Sequence, residues 1–92
     1  MSYLLIYPDS YIKRAKKFLR KHPEIHKQYQ KTLELLELDP YHPSLRLHSL
    51  SGRLKNLSSI SINMSYRITL ELEISDKEIV LTLVSMIKFI KN

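Results

Sequence analysis

Apolar residues recur every three or four positions in the first half of the chain and every second position in the latter half, which predicts helices followed by strands. Before the first helix, residues 3–7 are a run of β-formers that stops at Pro8, a residue with no N–H to give to a strand ladder. Asp9 or Ser10 can then cap a helix by accepting hydrogen bonds from its unpaired first-turn amides. Tyr11, Ile12, Ala15, Phe18 and Leu19 form one apolar stripe opposite a set of lysines. Pro23 suits the first position of a second helix, where its missing N–H costs nothing. Ile25, Tyr29, Leu33 and Leu36 keep the helical period, and Thr32, Leu35 and Leu38 widen the buried face. That helix should stop at Asp39, because Pro40 disfavours helical geometry in the residue before it. The short link at His22 makes the two helices a hairpin.

The connection DPYHPSLRLHSLSG predicts a proline-bearing loop with a short extended piece over residues 45–47, ending at Gly52, the only glycine. Beyond it Ile60 and Ile62 point one way and Ser59, Ser61 and Asn63 the other. Tyr66, Ile68, Leu70, Leu72 and Ile74 alternate with Arg67, Thr69, Glu71 and Glu73, the pattern of a half-buried strand. Ser75, Asp76 and Lys77 form a turn, after which Ile79, Leu81 and Leu83 face inward. The order βααβββ predicts an α+β fold, a helical hairpin packed on a mainly antiparallel sheet, built as a single domain over residues 1–92.

Composition narrows the chemistry. With no cysteine there is no disulfide frame, thiolate metal site or thiol nucleophile, and a cytoplasmic setting fits. The apolar N-terminal run is too short, and has no basic residue before it, to read as a signal peptide, and no stretch approaches the length that spans a bilayer. Residues 1–55 carry 11 Lys and Arg against 5 Asp and Glu, a net of +6, whereas residues 56–92 carry 4 of each. Six of the nine residues over 13–21 are basic, a block that suits nucleic acid, anionic lipid or an acidic protein, or simply a solvated helix face. His22 and His26 are four apart but lack a third ligand, so no metal site follows. Glu34, Glu37 and Asp39 form no pair with a nucleophile and balance helix charge.

The ordered set Leu47-His48, Leu50, Gly52, Leu54, Ser59-Ile60-Ser61-Ile62 and Tyr66-Arg67-Ile68 on a βααβββ chain resembles the RelE/ParE superfamily of type II toxin–antitoxin toxins, in its HigB- and YafQ-like branches. The resemblance implies a toxin that enters the ribosome and cuts mRNA without metal or cofactor, restrained by a cognate antitoxin. The chemistry would be attack of an RNA 2′-hydroxyl on the adjacent phosphate, which needs proton transfer and cations to offset phosphorane charge. On this resemblance Arg67 and His48 are the catalytic candidates. A guanidinium can grip phosphate through two parallel bonds, and an imidazole suits proton transfer. Arg46, Arg53, Lys55, Ser59, Ser61 and Lys88 are the candidate RNA contacts. Taken alone, Arg67 also fits a salt bridge to Glu71 or Glu73, and His48 a solvated or capping residue.

The sequence departs from the family pattern in ways that keep other readings open. Hydroxyls at Ser59 and Ser61 replace the lysines of RelE-like nucleases. The histidine and acid that the YafQ-like branch places near Ser61 and Ser65 are absent. Met86 falls where active families have a C-terminal histidine, and Phe89 is placed either to stack on a base or to be buried. A ParE-like inhibitor of DNA gyrase, or an inactive antitoxin-binding protein, therefore stands beside the endoribonuclease.

Overall fold

The computed structural model describes residues 2–88. Its elements are β1 (Ser2–Ile6), α1 (Asp9–Lys21), α2 (His26–Leu38), β2 (His48–Ser49), β3 (Ser58–Ser61), β4 (Tyr66–Ile74) and β5 (Glu78–Lys88), joined by short 3-10 turns. The strands form one sheet in the order β1-β5-β4-β3-β2. β1 runs parallel to β5, and all other neighbours are antiparallel. The predicted α+β architecture holds, with the two-residue β2 added at one edge.

Local chemistry explains where the boundaries moved. The first strand closes one residue earlier than expected. Pro8 itself, in extended conformation, caps α1, and its carbonyl accepts from the Ile12 amide at 3.0 Å. Neither Asp9 nor Ser10 caps by side chain. Asp9 lies inside the first turn, where a carboxylate still meets the positive end of the helix dipole. Pro23 opens a 3-10 turn, Pro23–Ile25, that leads directly into α2. Leu38, expected in the buried face, is the last residue of α2 and is 78% exposed.

The helices cover one face of the sheet. Leu36, Leu45, Ile60, Ile68, Leu70, Leu81 and Leu83 are fully buried there, and burying one such side chain is worth about 1.5–3 kcal/mol. The helices are also tied by a polar pair, because the Tyr11 and Tyr29 hydroxyls lie 2.7 Å apart in the core. At the other end of α1, Phe18 meets Tyr66 edge-on, with ring centroids 5.3 Å apart, and His22 stacks against both. Ile74, predicted to face inward, is the last residue of β4 and is 66% exposed.

One irregularity fixes which β5 residues reach which face. Thr69 pairs with Ser85 but Leu70 pairs with Leu83, so Val84 is an extra residue in β5. A bulge of this kind inverts the inside–outside parity beyond it. Ile79, Leu81 and Leu83 face the helices before the bulge, and Met86 does so after it. Arg14 of α1 donates from Nη1 to the Val84 carbonyl at 3.0 Å, spanning helix to bulge. One residue of the basic block thus has a structural task, whereas Lys13, Lys16, Lys17, Arg20 and Lys21 are exposed. No helix among the described residues is long and apolar enough to cross a membrane.

Candidate functional site

On the sheet face away from the helices, register aligns His48, Ser59, Thr69 and Ser85 in one row across β2, β3, β4 and β5. Arg67, Ser61 and Ile87 form the next row. Arg67 leans diagonally into the first row. Its Nε donates to Ser59 Oγ at 2.8 Å and its Nη2 donates to the Arg46 carbonyl at 2.8 Å. Nη2 also lies 3.1 Å from His48 Nδ1 and 3.4 Å from the Ser59 carbonyl.

The loop before β2 creates these acceptors. Pro43 starts the 3-10 turn Pro43–Leu45, capped by His42, whose Nδ1 accepts from the Ser44 amide at 3.1 Å. Arg46 then takes the left-handed conformation at φ 49 and ψ 47. This conformation costs a non-glycine residue about 1–2 kcal/mol. It explains why the extended piece lies at His48–Ser49 and not over residues 45–47. The reversal turns the Arg46 carbonyl to face the Arg67 guanidinium and sends the Arg46 side chain, which is exposed, towards solvent.

The two contacts of the histidine call for different protonation patterns. A guanidinium nitrogen has hydrogens and no acceptor capacity, so Arg67 Nη2 can only donate. A bond between them therefore has His48 Nδ1 accepting, with the ring proton on Nε2. The Arg46 carbonyl also lies 3.1 Å from Nδ1, but a bond there needs the proton on Nδ1. The two contacts of Nδ1 exclude each other. Arg67 is 7% exposed. Burial, and then the nearby Arg46 charge, hold its pKa below the ordinary guanidinium value. It remains a cation all the same.

The other candidate residues are dispersed. Ser59 is fully buried, so its hydroxyl serves the guanidinium. Ser61 is half-buried and donates to the Asn63 carbonyl at 2.9 Å, tightening the turn into β4. Arg53 and Lys55 are exposed at the 3-10 turn Gly52–Leu54, which the positive φ of Gly52 (67) begins. Lys88 is exposed and pairs with Tyr66, which places it on the helix side of the sheet, away from the His48 row. The bonds of Arg67 run away from Glu71 and Glu73, which lie past the bulge. Met86 is buried under the helices, so the methionine is a core residue, and Ile87 is the β5 residue opposite Arg67. Phe89 lies outside the described residues.

Sequence reasoning missed Thr69 and Ser85, whose hydroxyls lie 2.8 Å apart and continue the polar row. Only the bulge brings Ser85 to that face. His22 does not join His26 in a ligand pair; it lies 3.6 Å from Glu24 and 3.3 Å from the Tyr66 hydroxyl. No group of three metal-ligating side chains occurs among the described residues.

No protein-family model matches the sequence, and no curated protein matches it. Solved structures do match its fold. The YoeB/ParE toxin from Agrobacterium tumefaciens superposes with a TM-score of 0.66 at 14% identity, covering 95% of this chain and 99% of that one. YafQ from Escherichia coli gives 0.64 at 14% identity over 91% and 90% of the two chains. The YoeB–YefM complex from Staphylococcus aureus gives 0.60 at 16% identity over 95% of each.

Proposed function

With the fold of the RelE/ParE superfamily as its frame, we propose that this chain is the toxin of a type II toxin–antitoxin pair, and that it cleaves mRNA on the ribosome in the cytoplasm. The observation that carries this reading is the His48–Arg67 pair, an exposed imidazole 3.1 Å from a guanidinium on the face left open by the helices. Arg46, two residues before His48, and Arg53 and Lys55 at the turn after β2 add exposed positive charge suited to an RNA backbone.

In the reaction, a 2′-hydroxyl oxygen attacks the neighbouring phosphorus. The bond from phosphorus to the 5′-oxygen breaks, leaving a cyclic phosphate, and the departing 5′-oxygen takes a proton from water to become a hydroxyl. His48 Nε2 is the group placed to exchange a proton with the attacking oxygen. Arg67 and Arg46 offset the charge that develops on the phosphorane oxygens. Expression without an antitoxin should arrest growth, and purified protein should cut ribosome-bound transcripts. Intact transcripts at large protein excess would sink the nuclease reading.

A second reading is favoured by two observations, the internal bonding of Arg67 and the burial of Met86. It is a ParE-like gyrase inhibitor or an inactive antitoxin-binding protein. Blocked supercoiling with intact transcripts would select the first of these, and no response in either assay the second.

A further inference from the structure

Resting on the nuclease reading, we propose that Arg67 is a latch that keeps His48 from acting as a base until a substrate phosphate draws the guanidinium away. Of the three acceptors near Arg67 Nη2, the closer two, the Arg46 carbonyl at 2.8 Å and His48 Nδ1 at 3.1 Å, take its two hydrogens in the latched state, with the Ser59 carbonyl farther off at 3.4 Å. While they do, His48 carries its proton on Nε2. It therefore presents an N–H to solvent where a general base needs a lone pair. Donating that N–H proton outright would leave an imidazolate, and adding a second proton would set an imidazolium against the guanidinium. In the resting arrangement His48 can bind a phosphate oxygen but cannot take a proton from a 2′-hydroxyl.

The release is built into the same loop. The Arg46 carbonyl already lies 3.1 Å from His48 Nδ1. Once Arg67 turns to an anion, Nδ1 loses its donor and that carbonyl becomes its only near partner of these two. The ring then loses the proton on Nε2 to water and gains one from water on Nδ1, with no net change in charge. The Nδ1–H donates to the carbonyl, which holds the ring still, and Nε2 now offers its lone pair. A phosphate diester is the ligand chemistry that fits this trigger, because a guanidinium exchanges one set of oxygen acceptors for another of full negative charge. Left-handed Arg46 is the positioning residue of the device, since its main chain supplies the acceptor for both states.

Nitrogen-resolved NMR of histidine-labelled protein tests this, with His48→Gln used only to assign the signal among the four histidines. In the free wild type, His48 Nδ1 should have the shift of an unprotonated ring nitrogen and Nε2 that of a protonated one. Saturation with a short oligonucleotide whose 2′-hydroxyls are replaced by hydrogen, which keeps the phosphates but lacks the attacking group, should exchange the two shifts. Arg67→Met should show the exchanged pattern without ligand. A free wild type already protonated on Nδ1 overturns the latch, as does an unchanged pattern at saturating oligonucleotide. Should Arg67→Met not fold, the two wild-type measurements decide alone. Each is independent of cleavage, so a latched but inactive protein would defeat the nuclease reading and not the tautomer assignment.

Discussion

Arg67 Nε donates to the Ser59 hydroxyl at 2.8 Å across neighbouring strands, where Ser59 has no exposed surface. A buried guanidinium is tolerated only where its hydrogens find acceptors, and this hydroxyl is one that no other residue type at position 59 would supply as neatly except threonine. Ser59→Ala should lower stability by about 1–3 kcal/mol, the cost of stranding a charged donor. Ser59→Thr should recover much of it. Urea denaturation of the three proteins measures the order, and an alanine variant as stable as the wild type would mean that the guanidinium is not anchored there.

Arg67→Lys keeps the charge but loses the planar fork that serves Ser59, Arg46 and His48 together. If the nuclease reading is right, cleavage of ribosome-bound transcripts should fall about a hundredfold or more, as when a preorganised donor to a developing anion is removed. Circular dichroism should show a folded protein. Undiminished cleavage by folded Arg67→Lys would reduce Arg67 to a point charge.

Arg46 tests the loop. Arg46→Gly removes left-handed strain but loosens the unfolded chain, so the net change should be within about 1 kcal/mol. Arg46→Val puts a β-branched residue at φ 49 and should cost clearly more. Equal stability of the two variants would show that residue 46 does not need the left-handed conformation.

The Tyr11–Tyr29 pair should show coupling. Either single phenylalanine variant leaves one hydroxyl without its partner and should cost about 1–2 kcal/mol, while the double variant should cost less than the two together. Additive losses in a double-mutant cycle would refute the shared bond.

Burial raises the pKa of Tyr11, Tyr29 and Tyr7, with the hydrogen bond to Glu37 adding to the effect at Tyr7. The folded state therefore holds these protons more tightly than the unfolded one. Their contribution to stability is complete below the unfolded value of about 10 and is lost as pH rises above it towards the folded values. Ultraviolet titration should show part of the six tyrosines ionising only as the fold is lost. Ionisation of all six as one class below the unfolding transition would contradict this.

Much of the frame was legible because it rests on short-range rules. Pro8, Pro23 and Pro40 mark helix boundaries through missing donors and fixed angles, and the period-two run from Tyr66 orients Ile68 and Leu70 correctly. Met86 was not legible. Its inward aim depends on one extra residue at Val84, whose carbonyl accepts from Arg14, and no local pattern in the strand announces that bulge. The surroundings of Arg67 were hidden for a similar reason. Its strand neighbours suggested Glu71 or Glu73, whereas its bonds go to the Arg46 carbonyl, which side-chain patterns do not register.

The parallel pairing of β1 with β5 has a consequence for how the chain assembles. Ser2 pairs with Glu78 and Ile6 with Thr82, so the earliest strand finds its partner only near the other end of the fold. Closing so long a loop is entropically slow compared with forming the β3–β4 hairpin, which is local. During synthesis on a ribosome β1 must wait with an unpaired edge until β5 has emerged. The strands that carry Ser59 and Arg67 can pair before then, so the local geometry around the guanidinium can form ahead of the sheet that will support it.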